Sequence, residues 1–135
     1  MINLSDLKKS GFTIKDGKIV KDIAKKSKYG NSKIEIDGFI FDSTKEGNEY
    51  SKLKLLKKSG EIKDFEIQVK FDIRINEIHI ANYFLDFLVI NNDGSKEYID
   101  VKGQDKKTKK WITTDVFQLK KKLVEAIYKI KIKII

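Results

Sequence analysis

Residues 82–103 read NYFLDFLVINNDGSKEYIDVKG, and the arrangement of this stretch decides the fold. Two β-rich runs, IHIANYFLDFLVI at 78–90 and KEYIDVK at 96–102, flank NNDG at 91–94, and Asp-Gly between such runs marks the turn of an antiparallel hairpin. Each run carries an acid among apolar neighbours: Asp86 inside the stretch from Tyr83 to Ile90, and Asp100 between Ile99 and Val101. Side chains alternate along a strand with a period of two, so Asp100 and Lys102 share a face. An antiparallel neighbour then brings Asp86 alongside Asp100.

Working outward, DFEIQVKFDIRI at 64–75 is a further strand, and IEIDGFIF at 34–41 is a hairpin around Asp37-Gly38. Between them DSTKEGNEYSKLKLLKKSG predicts a helix that starts at Ser43 and stops at Gly60. Glu46, Tyr50, Leu53 and Leu56 step by four, three and three and so share one face, which turns Glu46 toward the packed side. Ser43 to Glu46 also reads as a capping box. A second helix is predicted from near Thr114 through DVFQLKKKLVEAIY, and KIKIKII at 129–135 closes as an alternating strand. The order helix, three-strand meander, helix, strand predicts an α/β (α+β) domain over residues 31–135, with a mixed sheet flanked by helices. Residues 1–30 read as a basic arm, with a short helix at SDLKK and a small hairpin at TIKDGKIV.

Composition narrows the function classes. With 135 residues the chain is long enough for one domain with its own core. It has no cysteine, which excludes a thiolate metal site and a cysteine nucleophile. The opening MINLSDLKKSGF lacks the apolar core of a signal peptide, and no run is apolar enough to span a bilayer; a cytoplasmic protein with no membrane partner is expected. The net charge of +9 is unevenly placed. Residues 43–102 carry 10 Lys and Arg against 11 acids, whereas residues 103–135 carry 10 Lys against 3 acids. Basic flanks suit a polyanion, and the acidic centre that would repel it suits bound cations.

Two carboxylates close together in a half-buried place repel each other and lose hydration. A hard divalent cation offsets both costs, and Mg²⁺ commonly takes one or two carboxylates, several waters and a substrate phosphate oxygen. A lysine on the same face is suited to orient a metal-bound water and to stabilise charge developing on phosphate. The D/E-x-K triplet is by itself uninformative, since it also occurs at Asp6/Lys8, Asp16/Lys18, Glu61/Lys63 and Asp105/Lys107. Only Asp100/Lys102 lies inside a predicted strand next to another acid-bearing strand.

In order along the chain, Glu46 on a helix, Gln68 in EIQVKF, Asp86 in YFLDF and Asp100-Val101-Lys102 resemble the PD-(D/E)XK nuclease superfamily, which has the restriction-endonuclease-like fold. DGFIFDSTKEGNEYSKLKLLKKSGEI, EIQVKF, YFLDF, DVKG and VFQLKKKL together look like a family of small phage-encoded nuclease-like proteins of unknown function, over residues 31–135. Leu85 stands where the superfamily's name has proline. The resemblance implies a Mg²⁺-dependent DNA endonuclease, with Mn²⁺ substituting, acting in a bacterial host cell. It implies Asp86, Asp100, the Val101 carbonyl and Glu46 as metal ligands, Lys102 at the attacking water, and Gln68 within the catalytic set. By analogy with small nucleases of this fold, branched DNA such as a Holliday junction is the expected substrate. A nicking, flap or repair nuclease and a catalytically silent DNA-binding module are the alternatives.

Lys106, Lys107, Lys109, Lys110, Lys120, Lys121 and Lys122 are the candidate phosphate contacts, or else a solvated lysine surface. Trp111 among them has a base-stacking reading and a packing reading. His79, near a hairpin end, reads as a surface residue, and Gln68 also fits the wet face of a strand. Resolving a junction takes two opposed cuts, so a homodimer is expected, with KIKIKII or residues 1–30 as the seam. The charge of residues 103–135 yields a first prediction: affinity for DNA, measured by fluorescence anisotropy, falls by about two to three orders of magnitude between ~50 and ~200 mM salt. An affinity that does not change over that range would mean that the lysines are not a binding surface.

Overall fold

In the computed structural model, which describes residues 12–15, 18–21 and 32–135, the chain begins with two short hairpins. Strand β1 (Phe12–Lys15) pairs antiparallel with β2 (Lys18–Lys21), and β3 (Ile34–Ile36) with β4 (Phe39–Phe41). Both predicted hairpins form. Asp37 and Gly38 close the second with φ of 54° and 82°, the pair of left-handed residues that a primed two-residue turn requires. The proposed SDLKK helix and the polar run before residue 32 lie outside the described residues.

Helix α1 (Thr44–Ser59) starts where the Ser43 hydroxyl accepts the Glu46 amide at 3.1 Å, and stops at Gly60, whose φ is 80°. A Cβ on Gly47 would lie 2.2 Å from Ile34 Cδ1, so only glycine lets the first turns of α1 approach β3 this closely. The predicted inner face is the buried one: Glu46, Tyr50 and Leu53 are buried and Leu56 is half-buried. The chain divides into two compact units, residues 1–49 and 50–135, with the boundary inside α1.

The second unit carries the four-stranded sheet. Its strands are β5 (Asp64–Ile75), β6 (Ile78–Ile90), β7 (Lys96–Asp100) and β8 (Ile132–Ile134), in that spatial order, with helix α2 (Asp115–Tyr128) between the last two. β5, β6 and β7 form the predicted antiparallel meander, and β8 returns parallel to β7 after the helical crossover. The fold is therefore mixed α+β. Thr114 caps α2 by accepting the Phe117 amide at 3.1 Å. At the other end Lys129 takes a left-handed φ of 55°, and Glu125 accepts the Ile130 amide on its carbonyl and the Ile132 amide on its carboxylate. The first residues of KIKIKII are thus consumed in ending the helix. That is why the last strand starts at 132 rather than 129.

Ile73, Tyr83, Leu85, Leu88, Val124 and Ile132 form the buried cluster beneath α2, with Val69, Phe71, Tyr98 and Phe117 packed against it. Phe65, by contrast, meets Tyr50 of α1 edge-on at 5.9 Å between ring centroids. Leu85 and Leu88 are three residues apart, an odd spacing that an unbroken strand would place on opposite faces. Val69 and Phe65 are four apart, which should place them together. Both strands therefore change face between these positions.

Neighbouring residues test this packing. Leu85 is 0% exposed and Phe84 is 60% exposed. Leu85→Ala should cost about 3 kcal/mol in a urea unfolding titration, and Phe84→Ala only about 0.5 kcal/mol or less.

Candidate acidic site

The β6–β7 ladder runs from Ile90↔Lys96 to Phe87↔Ile99, so Asp86 and Asp100 occupy the next row. There the backbone ladder gives way to side chains. The Asp86 amide donates to Asp100 Oδ1 at 3.0 Å, and the Val101 amide donates to Asp86 Oδ2 at 2.8 Å. Each carboxylate accepts a backbone amide from the other's strand, which ends regular pairing and holds the two acids side by side. β7 consequently stops at Asp100 rather than Lys102. Beyond it, Lys102 donates its amide to the Ile135 carbonyl and Ile135 returns its amide to the Asp100 carbonyl, both at 3.0 Å.

The two acids are not equivalent. Asp86 is half-buried, whereas Asp100 is 2% exposed and its Oδ2 has no hydrogen-bond partner among the described residues. Burial raises the Asp100 carboxyl above the usual carboxylate range, opposed by the Asp86 amide and by the positive charges of Lys102 and Lys121. Among the described residues no three His, Asp or Glu side chains are grouped to hold a metal ion. The donor set is two carboxylates, one with an unsatisfied buried oxygen, which matches the modest demand of a hydrated Mg²⁺ rather than that of a closed protein cage.

The other predicted residues fall in several places. Lys102 Nζ lies 4.0 Å from the centroid of the Phe117 ring on α2, a cation–π contact that limits where the ammonium points. Val101 is buried beside the acids. Gln68 occupies the β5 position opposite Asp86, but its φ is 50° and the pair is missing from the ladder between Ile67↔Phe87 and Val69↔Leu85. Glu46 belongs to the first unit, where it is buried and its amide is taken by Ser43.

Of the candidate phosphate contacts, Lys106, Lys107, Lys109 and Lys110 are exposed on a loop closed by a Gln104–Trp111 bridge. Lys122 is exposed as well. Lys120 donates to the Asn82 carbonyl at 3.1 Å, and Lys121 pairs with Glu125 at 3.2 Å; both are half-buried. Trp111 is 38% exposed at the base of the loop. His79 is a surface residue near the β5–β6 turn, hydrogen-bonded to Asp72 at 2.6 Å. Sequence reasoning missed Phe117 as the support for Lys102, and Lys121 as a charge acting on Asp100. The aromatic residue one turn into a capped helix was the available signal for the former.

The family model described as "Protein of unknown function (DUF1064)" matches residues 26–135. No curated protein and no solved structure matches the chain.

A prediction follows from the burial of Asp100. Because its folded pKa lies above the unfolded value, the folded state is favoured by protonation there, and this contribution is lost as pH rises through the raised value. Asp100→Asn, which retains an oxygen to accept the Asp86 amide, should therefore stabilise the protein at neutral pH in chelator by about 1 kcal/mol or more. The gain should vanish below the usual carboxylate range. Urea titrations of both proteins across pH measure it.

Proposed function

We propose that this chain, which belongs to the DUF1064 family, is a metal-dependent DNA endonuclease of the PD-(D/E)XK kind. The observation that carries this reading is the buried oxygen of Asp100, left without a hydrogen bond beside a second carboxylate. Such an arrangement lowers stability unless a cation occupies it, and a purely structural row in a sheet would be better served by apolar residues.

Asp86 and Asp100, with the Val101 carbonyl, are the groups that would hold Mg²⁺ or Mn²⁺. Bound there, the ion would supply Lewis-acid polarisation of a phosphate oxygen and a lowered pKa for water. The protein's own part is positional. The crossed amide bonds fix both carboxylates before substrate arrives, so little reorganisation is left for the reaction. Lys102, two residues beyond Asp100 and steadied by Phe117, is the cation that would orient the attacking water and offset charge on the phosphate. The exposed lysines of the 106–110 loop and Lys122 supply sequence-independent contact with the DNA backbone. Cutting the two opposed strands of a four-way junction takes two such sites, so we read the junction-cutting form as a two-fold dimer.

A cleavage panel tests the reading, with linear duplex, single strand, flap and four-way junction, each with Mg²⁺ and with chelator. Cleavage should require the metal. Asp86→Asn, which keeps an acceptor for the Val101 amide, should lower cleavage ~100-fold or more. Its binding to DNA in chelator should stay equal or become tighter, since a negative charge has been removed. Wild-type cleavage in chelator, or an unimpaired Asp86→Asn variant, would rule out the metal-dependent reading; binding without cleavage of any substrate would favour the silent DNA-binding module.

A further inference from the structure

Six residues other than glycine have positive φ among those described. Asp37, Asn76 and Glu77 lie in hairpin turns, Lys109 in the 104–111 loop, and Lys129 caps α2. Gln68 is different, because it lies inside β5. Left-handed backbone is resisted by any side chain except glycine, and persists inside a strand only where the surroundings enforce it. The Gln68 side chain does not account for its presence. It is exposed rather than packed in the cluster.

What the backbone of Gln68 does is visible on either side of it. The register is the same before and after the missing pair, Ile67↔Phe87 and Val69↔Leu85, so no residue has been inserted. The strands have instead turned over. Beyond the row, Val69, Phe71, Tyr83 and Leu85 belong to the cluster beneath α2, and before it Leu88 does. Asp100 has the parity of Tyr98, which packs on that cluster. Asp86 stands opposite Asp100 as Leu88 stands opposite Tyr98, so if β6 alternated without interruption from the inward Leu85, all four would lie together on the face away from α2. The crossed bonds hold the two acids as one row, and Tyr98, packed on the cluster, fixes the face that the row takes.

We infer that Gln68 is a positioning residue that acts through its backbone: its left-handed conformation switches β5 and β6 from one face to the other at Asp86, and thereby lets the row of Asp86 and Asp100 lie on the α2 side of the sheet while Tyr83 and Leu85 pack there too. The role in catalysis rests on the nuclease reading above, while the role in geometry does not.

Three variants separate backbone from side chain. Gln68→Gly removes the glutamine but accepts positive φ, Gln68→Asn is the conservative replacement that tolerates it, and Gln68→Val resists it most. Amide hydrogen exchange at Asp86 and Val101, followed by NMR in chelator, reads the geometry without any reaction. The glycine and asparagine variants should keep both amides slow. The valine variant should exchange them ~10-fold faster or more. On a cleaved substrate, kcat of the valine variant should fall ~10-fold or more at little change in KM, with glycine and asparagine restoring it. A glycine variant whose amides or kcat suffer as much as those of the valine variant would overturn the inference in favour of a side-chain role. So would a valine variant with both amides still protected. Should the valine variant fail to fold, the glycine and asparagine variants decide on the same two readouts. Should no substrate be cleaved, the nuclease reading fails and the exchange measurements still decide the geometry.

Discussion

A carboxylate can stay inside a sheet only if something replaces the water it has lost, and at Asp100 that replacement is the backbone of the neighbouring strand. Asp100 takes the Asp86 amide and Asp86 takes the Val101 amide, so the two acids stand in for a rung of the ladder that would otherwise join their strands. Much of the second unit is arranged around this exchange. It ends β7 at Asp100, leaving the next residues to bond with Ile135 beyond β8, and it places Lys102 next to α2. One oxygen of Asp100 is left over. Burial makes that remainder costly and gives the row its chemical interest.

Helix α2 is fastened to the sheet by several polar anchors. Lys120 reaches back to Asn82 on β6, the Tyr128 hydroxyl donates to the Asp72 carbonyl on β5, and Glu125 binds both Lys121 and the start of β8. Together with the Val124 contact these tie the helix to three strands of the sheet. Lysines that read as a solvated run are divided by the helical turn into structural and exposed members. Lys121 gains an electrostatic effect on Asp100 through its position, although Glu125 is its direct partner.

Most of the element order was legible because its signals are local. Asp37-Gly38, Ser43, Gly60, Thr114 and the Asn-Asp-Gly turn each act within a few residues, and apolar periodicity places the rest. The adjacency of Asp86 and Asp100 was likewise legible from alternation plus one hairpin. The turnover at Gln68 was not, because glutamine carries no preference for positive φ and period-two counting assumes an unbroken pleat. That assumption would have put Asp86 and Leu88 on the face away from α2. The shortened β8 was hidden for a similar reason: KIKIKII alternates faithfully, but the αL cap at Lys129 is set by how the helix has to end against Glu125.

The lysine loop is held from within. The Asp105 carboxylate accepts the Lys107 and Thr108 amides at 2.9 and 2.7 Å, its backbone pairs with Lys109 and Lys110, and Gln104 closes on the Lys109 carbonyl. Those amide bonds, Thr108 foremost, hold the Asp105 carboxyl below its ordinary range, so the clasp stays charged well into mild acid. Four ammonium groups are thereby carried on backbone that has already surrendered its conformational freedom during folding. An anion meeting this surface would have only the lysine side chains left to order, and its association would cost correspondingly less entropy than with a flexible basic tail.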